Sequence, residues 1–427
     1  MLPLLFGGLF TCLFLTVPIA ISLAISTLVV FLIQYPGQPM INNLAQAMLT
    51  SADSFPLMAI PFFMLVGTLM EKTGIARKLV EVAEVLTGSM PGGLGMAAIV
   101  ASMFFAAISG SGPATAAAIG GIMLPAMAAQ GYGKSYSVGL ISGASTIGPV
   151  IPPSIPMIMY GVTVGVSVTQ MFTAGFVPGI LMGGGLMLYN YYISKQRGYQ
   201  GQENHINASE KLRVVVRALP AILMPVIVLG GIYGGIFTPT ESAVVGVVYT
   251  LIVGVLIYKE LTLETLKDAL VEAAITSATI MILFGPATTF GRLLTIGRIP
   301  KLITEFMLSI SDNGIVIMLL VQVVLILAGM FIDTISSIVL LAPLFVPILT
   351  SYGYNEIYIG VIMVVNLCIG MITPPMGSNL FIAMRIGNIS LEEALKEAFP
   401  IMLVLFGVLI LMILFPPLVT FLPSLVS

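Results

Sequence analysis

The sequence predicts an all-α polytopic membrane protein, an inverted repeat of about ten transmembrane helices plus two re-entrant hairpins. Three observations support this fold class. The 427-residue chain is 58% hydrophobic and only 8% charged, whereas soluble globular proteins carry roughly 25% charged residues. Proline-rich segments interrupt two of its long apolar runs, and one pattern of residues occurs twice. Continuous apolar runs exclude an outer-membrane β-barrel, in which apolar and polar residues alternate.

Composition limits the other classes of function. The net charge of −2 gives no indication of a nucleic-acid partner. Cys12 and Cys368 fall in apolar runs, which favours buried thiols over a disulfide or metal framework. Residues 1–15 lack a basic stretch and a small-residue cleavage site, so we interpret them as a retained membrane segment rather than a signal peptide.

The two interrupted runs contain the segments 149–156, with four prolines, and 370–379, with a Pro-Pro pair. Proline lacks the backbone donor and clashes with the preceding turn, so no continuous helix passes through either segment. Irregular backbone at membrane depth is tolerated only when it is buried in protein or lines a polar cavity. Both segments are therefore predicted to be breaks inside membrane-spanning helices.

The internal repeat has a fixed offset, because Pro125 and Pro347 differ by 222 positions (347 − 125 = 222). The same offset relates Pro152-Pro153 to Pro374-Pro375, Gly148 to Gly370, Gly131-Tyr132 to Gly353-Tyr354, and Tyr136 to Tyr358. No gap is needed between about residues 91 and 160.

The predicted segments follow from the apolar runs. They are spans at 2–16, 18–34, 55–71, 172–194, 217–236, 239–258, 273–291 and 400–422, broken spans at 135–170 and 356–388, paired arms at 93–108 with 114–130 and 315–331 with 338–350, short helices at 42–52 and 73–87, and a polar linker at 195–214. An arm of about 16 residues is roughly 24 Å long as a helix, against about 30 Å for the hydrocarbon core. Re-entrant hairpins are therefore favoured over the alternative of two tilted crossings.

Five spans separate equivalent points of the repeat, so the two halves are predicted to be inverted, an architecture common in secondary transporters. With the linker 195–214 in the cytoplasm, both termini are periplasmic. All of the 16 Lys and Arg residues then fall on the cytoplasmic side except Arg292, Arg298 and Lys301, in agreement with the positive-inside rule. Those three residues are candidates for docking an acidic partner, or belong to a solvated amphipathic helix.

Interrupted helices supply candidate ion sites. The last carbonyls of a half-helix are unpaired and partially negative, which suits Na⁺, and the next N–H groups suit an anion. The first predicted sodium set is Ala107, Ser109, Ser111, Gly148, Ile151 and Ser154, and the second is Gly329, Asp333, Ser337, Gly370, Thr373 and Met376. The alternative is that these small residues only allow close helix packing.

Several residues are candidates for contacting a substrate: Ser111, Pro153, Asp333, Pro375, Ser378 and Asn379. Asp333 follows a long apolar run, and an ionisable residue at such a depth is a functional candidate; the less favoured alternative is that it caps a hairpin tip. Ser378 and Asn379 suit hydrogen bonds to hydroxyl or amide groups, or helix capping. Glu241 fits a helix start, and His205 fits a solvated linker.

Five motifs together resemble the large membrane subunit of tripartite ATP-independent periplasmic (TRAP) transporters over essentially the whole chain. They are ISGSGPATA at 108–116, TIGPVIPPS at 146–154, GGIFTPTE at 234–241, GMFIDT at 329–334 and ITPPMGSN at 372–379. The resemblance implies a sodium-coupled, elevator-type importer of organic acids in the bacterial inner membrane, with two or more Na⁺ ions. It also implies two partners, a small four-helix membrane subunit and a soluble periplasmic binding protein.

The resemblance further implies a division of the chain. Residues 91–170 and 313–388 would form the two halves of a transport domain; residues 1–90, 171–312 and 389–427 would supply scaffold and arm helices. The sequence as a whole is similar to sialic-acid members of the family, and import of a C4-dicarboxylate or another organic acid is the alternative. A passive anion channel is a remote alternative. A membrane-embedded hydrolase is disfavoured, because Asp53, Asp268 and Asp312 lie at segment edges and no metal-binding cluster is evident.

Overall fold

The computed structural model describes residues 1–34, 53–201 and 207–426, with residues 42, 45, 46, 49 and 50 between the first two ranges. Most of the helix expected at 42–52 lies outside the described residues, as does His205. Within them, every regular element is helical, and nine helical stretches are long and apolar enough to cross a membrane. This confirms an all-α, multi-pass membrane protein.

In the first half, the ranges 1–34 and 53–201 contain α1 (Leu2–Phe14), α2 (Ile19–Gln34), α3 (Ala59–Lys72), α4 (Ile75–Thr87), α5 (Gly93–Ser109), α6 (Gly112–Ala129), α7 (Lys134–Ser145), α8 (Ile155–Val164) and α9 (Val168–Arg197). In the second half, the range 207–426 contains α10 (Ala208–Tyr233), α11 (Pro239–Ile252), α12 (Leu263–Met281), α13 (Phe284–Ile296), α14 (Ile299–Ile310), α15 (Gly314–Phe331), α16 (Thr334–Ser351), α17 (Glu356–Gly370), α18 (Ser378–Gly387), α19 (Leu391–Leu414) and α20 (Pro417–Val426). Short 3₁₀ and π turns flank α3 and α11 at Phe55–Met58 and Val253–Ile257.

Both predicted breaks are present. We call residues 146–154, between α7 and α8, break 1, and residues 371–377, between α17 and α18, break 2. Hairpin 1 is α5–α6 and hairpin 2 is α15–α16. Each break contains its double proline, with a cis peptide bond at Pro152-Pro153 and at Pro374-Pro375.

The repeat also relates the first and last residues of the helices in the two halves. Shifting α6 by the offset gives 334–351 (112 + 222 = 334; 129 + 222 = 351), which are the bounds of α16. The amphipathic helices α4 and α14 correspond in the same way to within two residues, although the repeat was read from the sequence only between residues 91 and 160. The two halves therefore fold as copies of one unit.

The two broken spans run antiparallel, as an inverted repeat requires. Near the end of the first span, the Tyr160 hydroxyl donates to the Glu356 carbonyl at the start of the second, at 2.7 Å. At the opposite end, Gly387 of α18 lies against Val138 of α7. The halves also exchange contacts, since α6 packs on α18 and α16 packs on α8.

The long helices α9 and α19 pack around these units. Helix α9 contacts α5, α7 and α8, and Gly179 brings it against the side chain of Ile151 in break 1. Helix α19 contacts α7 and α17. Elsewhere α3 packs between α11 and α12, and α2 joins α1 to α13. Small residues permit such close packing where no hydrophobic effect acts between helices.

Three segments differ from the sequence-based boundaries. The single span expected at 273–291 is two helices, α12 and α13, that meet just before Pro286, which cannot continue the hydrogen-bond ladder. Capping boxes at Thr262 and Ser390 start α12 and α19 earlier than expected. The linker expected at 195–214 is helical at both ends, because α9 continues to Arg197 and α10 begins at Ala208.

Candidate functional site

Hairpin 1 ends against break 1. A Cβ added to Gly148 would lie 2.7 Å from the Ser111 carbonyl oxygen and 2.9 Å from Thr115 Oγ1. At the tip itself, Gly110 has a left-handed backbone (φ +59°), and a Cβ there would clash with the Pro153 carbonyl. The tip thus reaches only the middle of the α7–α8 span, which is the geometry of a re-entrant hairpin.

Neutral oxygen atoms surround this contact. Thr115 Oγ1 donates to the Ser111 carbonyl at 2.7 Å and lies 3.4 Å from Ser109 Oγ. On the break side, the Ser154 hydroxyl donates to the Pro149 carbonyl and accepts the Met157 amide at 3.2 Å, which caps α8. Ser109, Thr115 and Ser154 are buried, so this cluster of hydroxyl and carbonyl oxygens is screened from solvent.

Two residues of the first predicted set stand apart. The Ile151 side chain packs at Gly179 of α9, and Ala107 lies one turn before the tip, half-buried on α5. Neither side chain carries a polar atom, so each has only its main-chain carbonyl to offer.

Hairpin 2 meets break 2 in the same way. A Cβ on Gly370 would lie 2.9 Å from the main chain of Gly329. One residue further along the hairpin, the Met330 carbonyl accepts the Met376 amide at 3.1 Å. Gly329, Gly370 and Met376 therefore come together through backbone atoms, while the Thr373 hydroxyl donates within its own chain segment to the Ile369 carbonyl at 2.9 Å.

Asp333 is the N-cap of α16. Its Oδ1 accepts the amides of Ile335 and Ser336, both at 3.0 Å, so the capping alternative raised by the sequence is realised. In the following turn, the hydroxyls of Thr334 and Ser337 are buried and have no hydrogen-bond partner among the described residues. A carboxylate beside two buried hydroxyls makes the tip of hairpin 2 an oxygen-rich position with a formal negative charge.

The two halves meet at Asn379. Its side chain is fully buried, and neither its amide nitrogen nor its oxygen has a partner in the described part of the chain. A Cβ on Gly112, at the tip of hairpin 1, would lie 2.8 Å from Asn379 Nδ2 and 3.0 Å from the Met371 sulfur. An unpaired buried amide costs about 1–3 kcal/mol, and this one belongs to the second half but lies directly against the tip of the first.

A cavity of about 270 Å³ opens beside this tip. Hairpin 1 contributes Ser109, Ser111 and Ala117 to its wall, and α3 and α12 contribute Glu71 and Glu272. Lys72 pairs with Glu272 across α3 and α12 at 3.2 Å. The cavity thus lies between hairpin 1 and the α3–α12 pair, although α3 also touches the hairpin directly, since a Cβ on Gly67 would lie 3.5 Å from Ser109.

The remaining predicted site residues divide by exposure. Pro153 is buried in break 1, whereas Pro375 and Ser378 are exposed in and after break 2. The candidate substrate residues therefore do not form one closed pocket: Ser111 and Asn379 lie at the junction of the halves, and Asp333, Pro375 and Ser378 face the surface.

The three basic residues that depart from the positive-inside rule lie at the corner between α13 and α14. Arg292, Arg298 and Lys301 are all exposed, and only a long 3.9 Å contact joins Lys301 to Glu305. The side chain of Met1 packs at Gly297, so the N-terminus lies on the same side of the molecule as this basic corner.

Two candidate residues were missed from the sequence, Thr115 and Thr334. Thr115 lies one turn after Ser111 and so returns to the same helix face, a spacing that could have identified it. Thr334 ends the GMFIDT motif, but nothing distinguished it from its neighbours there, because its interest rests on a buried hydroxyl with no partner among the residues that the structure describes.

Comparison with known proteins gives consistent results. A family model described as the DctM component of tripartite ATP-independent periplasmic transporters matches residues 6–418. The isethionate TRAP transporter permease protein DctMQ of Oleidesulfovibrio alaskensis is 43% identical over 410 residues, which cover 96% of this chain but 64% of that protein. The sialic acid TRAP transporter large permease protein SiaM of Vibrio cholerae is 36% identical over 385 residues, 90% of each chain.

A solved structure has a similar fold. The YdaH transporter of Alcanivorax borkumensis matches 93% of this chain and 96% of its own with a TM-score of 0.68. At 14% sequence identity, this likeness supports the fold alone.

Proposed function

Because the chain belongs to the DctM component family of TRAP transporters, we propose that it is the large permease subunit of a sodium-coupled importer of a small organic anion. It would act in the bacterial inner membrane by an elevator mechanism. The observation that carries this proposal is the seating of each hairpin tip on a broken helix, at Ser111–Gly148 and at Gly329–Gly370.

Helix ends explain why these contacts suit ions. Main-chain carbonyls at the end of a half-helix carry partial negative charge, and a preorganised set of such oxygens binds Na⁺ without a strongly charged cage. In the first site, the hydroxyls of Ser109, Ser111 and Thr115 would join the carbonyls of break 1. In the second, Asp333 and Ser337 would join the carbonyls around Gly370.

The substrate would bind where the halves meet. Asn379 supplies a buried amide that has no hydrogen-bond partner within the described ranges of the chain, and Ser111 lines the adjacent cavity. No arginine lies in either break, so the bound Na⁺ ions and the N-terminal ends of α8 and α18 would neutralise the anionic group. Pro153 and Pro375 would shape the broken backbone around it.

The choice of anions to test comes only from the substrates for which related proteins are named. Two similar proteins are named for isethionate and for sialic acid, a sulfonate and a carboxylate, and the higher identity of the former places isethionate first among the substrates to test. N-acetylneuraminate and C4-dicarboxylates complete the set.

Two partners follow from the family. A small four-helix membrane subunit would widen the scaffold, and a soluble periplasmic binding protein would deliver the anion, with Arg292, Arg298 and Lys301 as a docking corner for its acidic surface. The moving part would contain both hairpins and both broken spans, residues 91–170 and 313–388, while α3, α9, α12 and α19 would belong to the scaffold and arm helices.

Transport in proteoliposomes tests the function. The complete complex, with both partners, is reconstituted and given an inward Na⁺ gradient with labelled isethionate, N-acetylneuraminate or succinate. We expect one of them to accumulate above its external concentration only while the Na⁺ gradient lasts. Uptake that ignores Na⁺ would remove the coupling, and equilibration without accumulation would indicate a passive anion channel.

A further inference from the structure

A buried polar pair joins hairpin 2 to the broken helix behind it. The side-chain amide of Asn366, on α17, donates to both the main-chain carbonyl and the side-chain oxygen of Gln322, on α15, at 3.0 and 2.9 Å. Gln322 is 7% exposed and Asn366 is 1% exposed. In a membrane interior, side-chain hydrogen bonds of this kind connect helices that have no hydrophobic effect to hold them.

The other half of the repeat lacks this pair. Positions 322 and 366 correspond to Val100 and Ala144 (322 − 222 = 100; 366 − 222 = 144). Apolar side chains therefore suffice to pack these two helices together in one half. The polar pair is an incomplete one, because Asn366 Oδ1 has no donor among the described residues and the Gln322 amide reaches only the Met318 sulfur, at 3.4 Å.

The pair lies on the same helix faces as the contact between hairpin 2 and break 2. Gly329 follows Gln322 by seven residues, and Gly370 follows Asn366 by four, which are spacings that return to one face of a helix. Between them, the Leu367 carbonyl lies 3.5 Å from a Cβ placed on Gly329. One interface thus contains the polar pair at one end and the Gly329–Gly370 approach at the other.

We propose that the Gln322–Asn366 pair is a positioning clamp, which fixes the register of α15 against α17 and so holds Gly329 against Gly370. Two apolar helix faces can slide past each other at little cost, whereas a bidentate amide contact is satisfied in one register only. The consequence for sodium binding rests on the proposed function, but the effect on break 2 does not.

The key variant replaces both residues, Gln322→Leu with Asn366→Leu, because exchanging both partners for apolar groups of similar shape leaves no unpaired polar atom. Hydrogen–deuterium exchange of the purified complex should then show faster exchange in peptides covering 371–380 and unchanged exchange in peptides covering 146–155. Val365→Ala, which removes buried volume from the same helix, serves as the matched control. It should leave the exchange rate of both sets of peptides as in the parent protein.

Sodium dependence gives the second readout. In the double-leucine variant, we expect the half-saturating Na⁺ concentration for uptake to rise by about threefold to tenfold, the range of one interhelical hydrogen bond in a membrane, with little change in the maximal rate. The exchanged pair, Gln322→Asn with Asn366→Gln, should restore part of the loss. Unchanged exchange at 371–380 would overturn the clamp, whereas faster exchange without any Na⁺ dependence in the parent protein would keep the clamp and reject the proposed coupling.

Discussion

Ser111 and Asp333 occupy equivalent tips of the two hairpins (333 − 111 = 222), yet their surroundings differ in charge and in exposure. Break 1 is buried from Thr146 to Ser154, whereas Pro375 and Met376 of break 2 are exposed. The first unit offers neutral hydroxyls that are buried or half-buried beside a cavity, and the second offers an exposed carboxylate. One backbone design therefore supports two different kinds of oxygen-rich site.

The two halves also differ where each broken span contacts a long helix. The Tyr136 hydroxyl donates to the side chain of Asn190 at 2.9 Å, and its repeat partner Tyr358 donates to the Met412 carbonyl at 3.3 Å. Asn190 and Met412 are themselves equivalent (412 − 190 = 222). The tyrosine bond is kept and only the acceptor changes, so the repeat preserves the position of this bond although one of the two residues that form it differs.

The largest effect should come from filling the tip-to-break contact. Gly148→Val would force a side chain against Ser111 and Thr115 in a buried shell that cannot relax, with an overpacking cost of about 1–3 kcal/mol or more. We expect uptake to fall below detection. Gly370→Val should leave measurable uptake, because the neighbouring break 2 residues reach the surface and can move.

Uptake in proteoliposomes and the melting temperature of the purified complex measure both variants. Gly184→Val on α9 is the control, since a Cβ there meets nothing within 4 Å. If Gly148→Val transported as well as this control, hairpin 1 would not be seated on break 1 during transport.

The next prediction distinguishes the negative charge of Asp333 from its capping role at the tip of hairpin 2. Asparagine caps helices as well as aspartate does, so Asp333→Asn should preserve the start of α16 and the melting temperature while removing the negative charge. Because the attraction between two unit charges about 4 Å apart ranges from about 1 kcal/mol in water to about 4 kcal/mol near a protein surface, we expect the half-saturating Na⁺ concentration to rise by about tenfold to hundredfold.

Ser111→Ala at the equivalent neutral tip is the comparison, and its expected shift in half-saturating Na⁺ is smaller, because the Ser111 carbonyl that approaches Gly148 remains. Equal shifts for the two variants, measured as initial uptake rates over a Na⁺ series, would contradict a difference in charge between the sites.

Much of this contrast was accessible from the sequence. Proline chemistry located both breaks, and the 222-residue offset paired Gly148 with Gly370, because these signals are local or periodic. The antiparallel arrangement followed from counting spans and charges. The structure confirmed the breaks and the hairpins that contact them. It brings Ser111 to Gly148 and Gly329 to Gly370.

Other features depend on tertiary contacts that no local pattern encodes. The division of 273–291 into two helices follows from Pro286 within an apolar run, which hydropathy alone reads as continuous. The burial of Asn379 under Gly112 joins residues far apart in the chain, and the exposure of the Asp333 side chain depends on which helices pack around the hairpin tip. The ion and substrate roles of these residues stay predictions.

The smallest effect concerns Asn379, the residue that links the two halves. Replacing it with leucine removes an unpaired buried amide, whose burial costs about 1–3 kcal/mol, so Asn379→Leu should raise or preserve the melting temperature. The same variant should weaken substrate binding, with the half-saturating substrate concentration increased by about threefold to tenfold, the loss of a single hydrogen bond of about 0.5–1.5 kcal/mol. Its Na⁺ dependence should not change, because the amide lies at neither tip-to-break contact.

Opposite signs for stability and substrate affinity distinguish a binding residue from a packing residue. A structural asparagine would lose stability on substitution and affect Na⁺ and substrate together. Asn366→Leu provides that reference, because it leaves Gln322 without its donor and should lower the melting temperature. If Asn379→Leu also destabilised the complex and left the substrate dependence unchanged, the junction between the halves would be a packing contact, and the two units would bind their ligands independently.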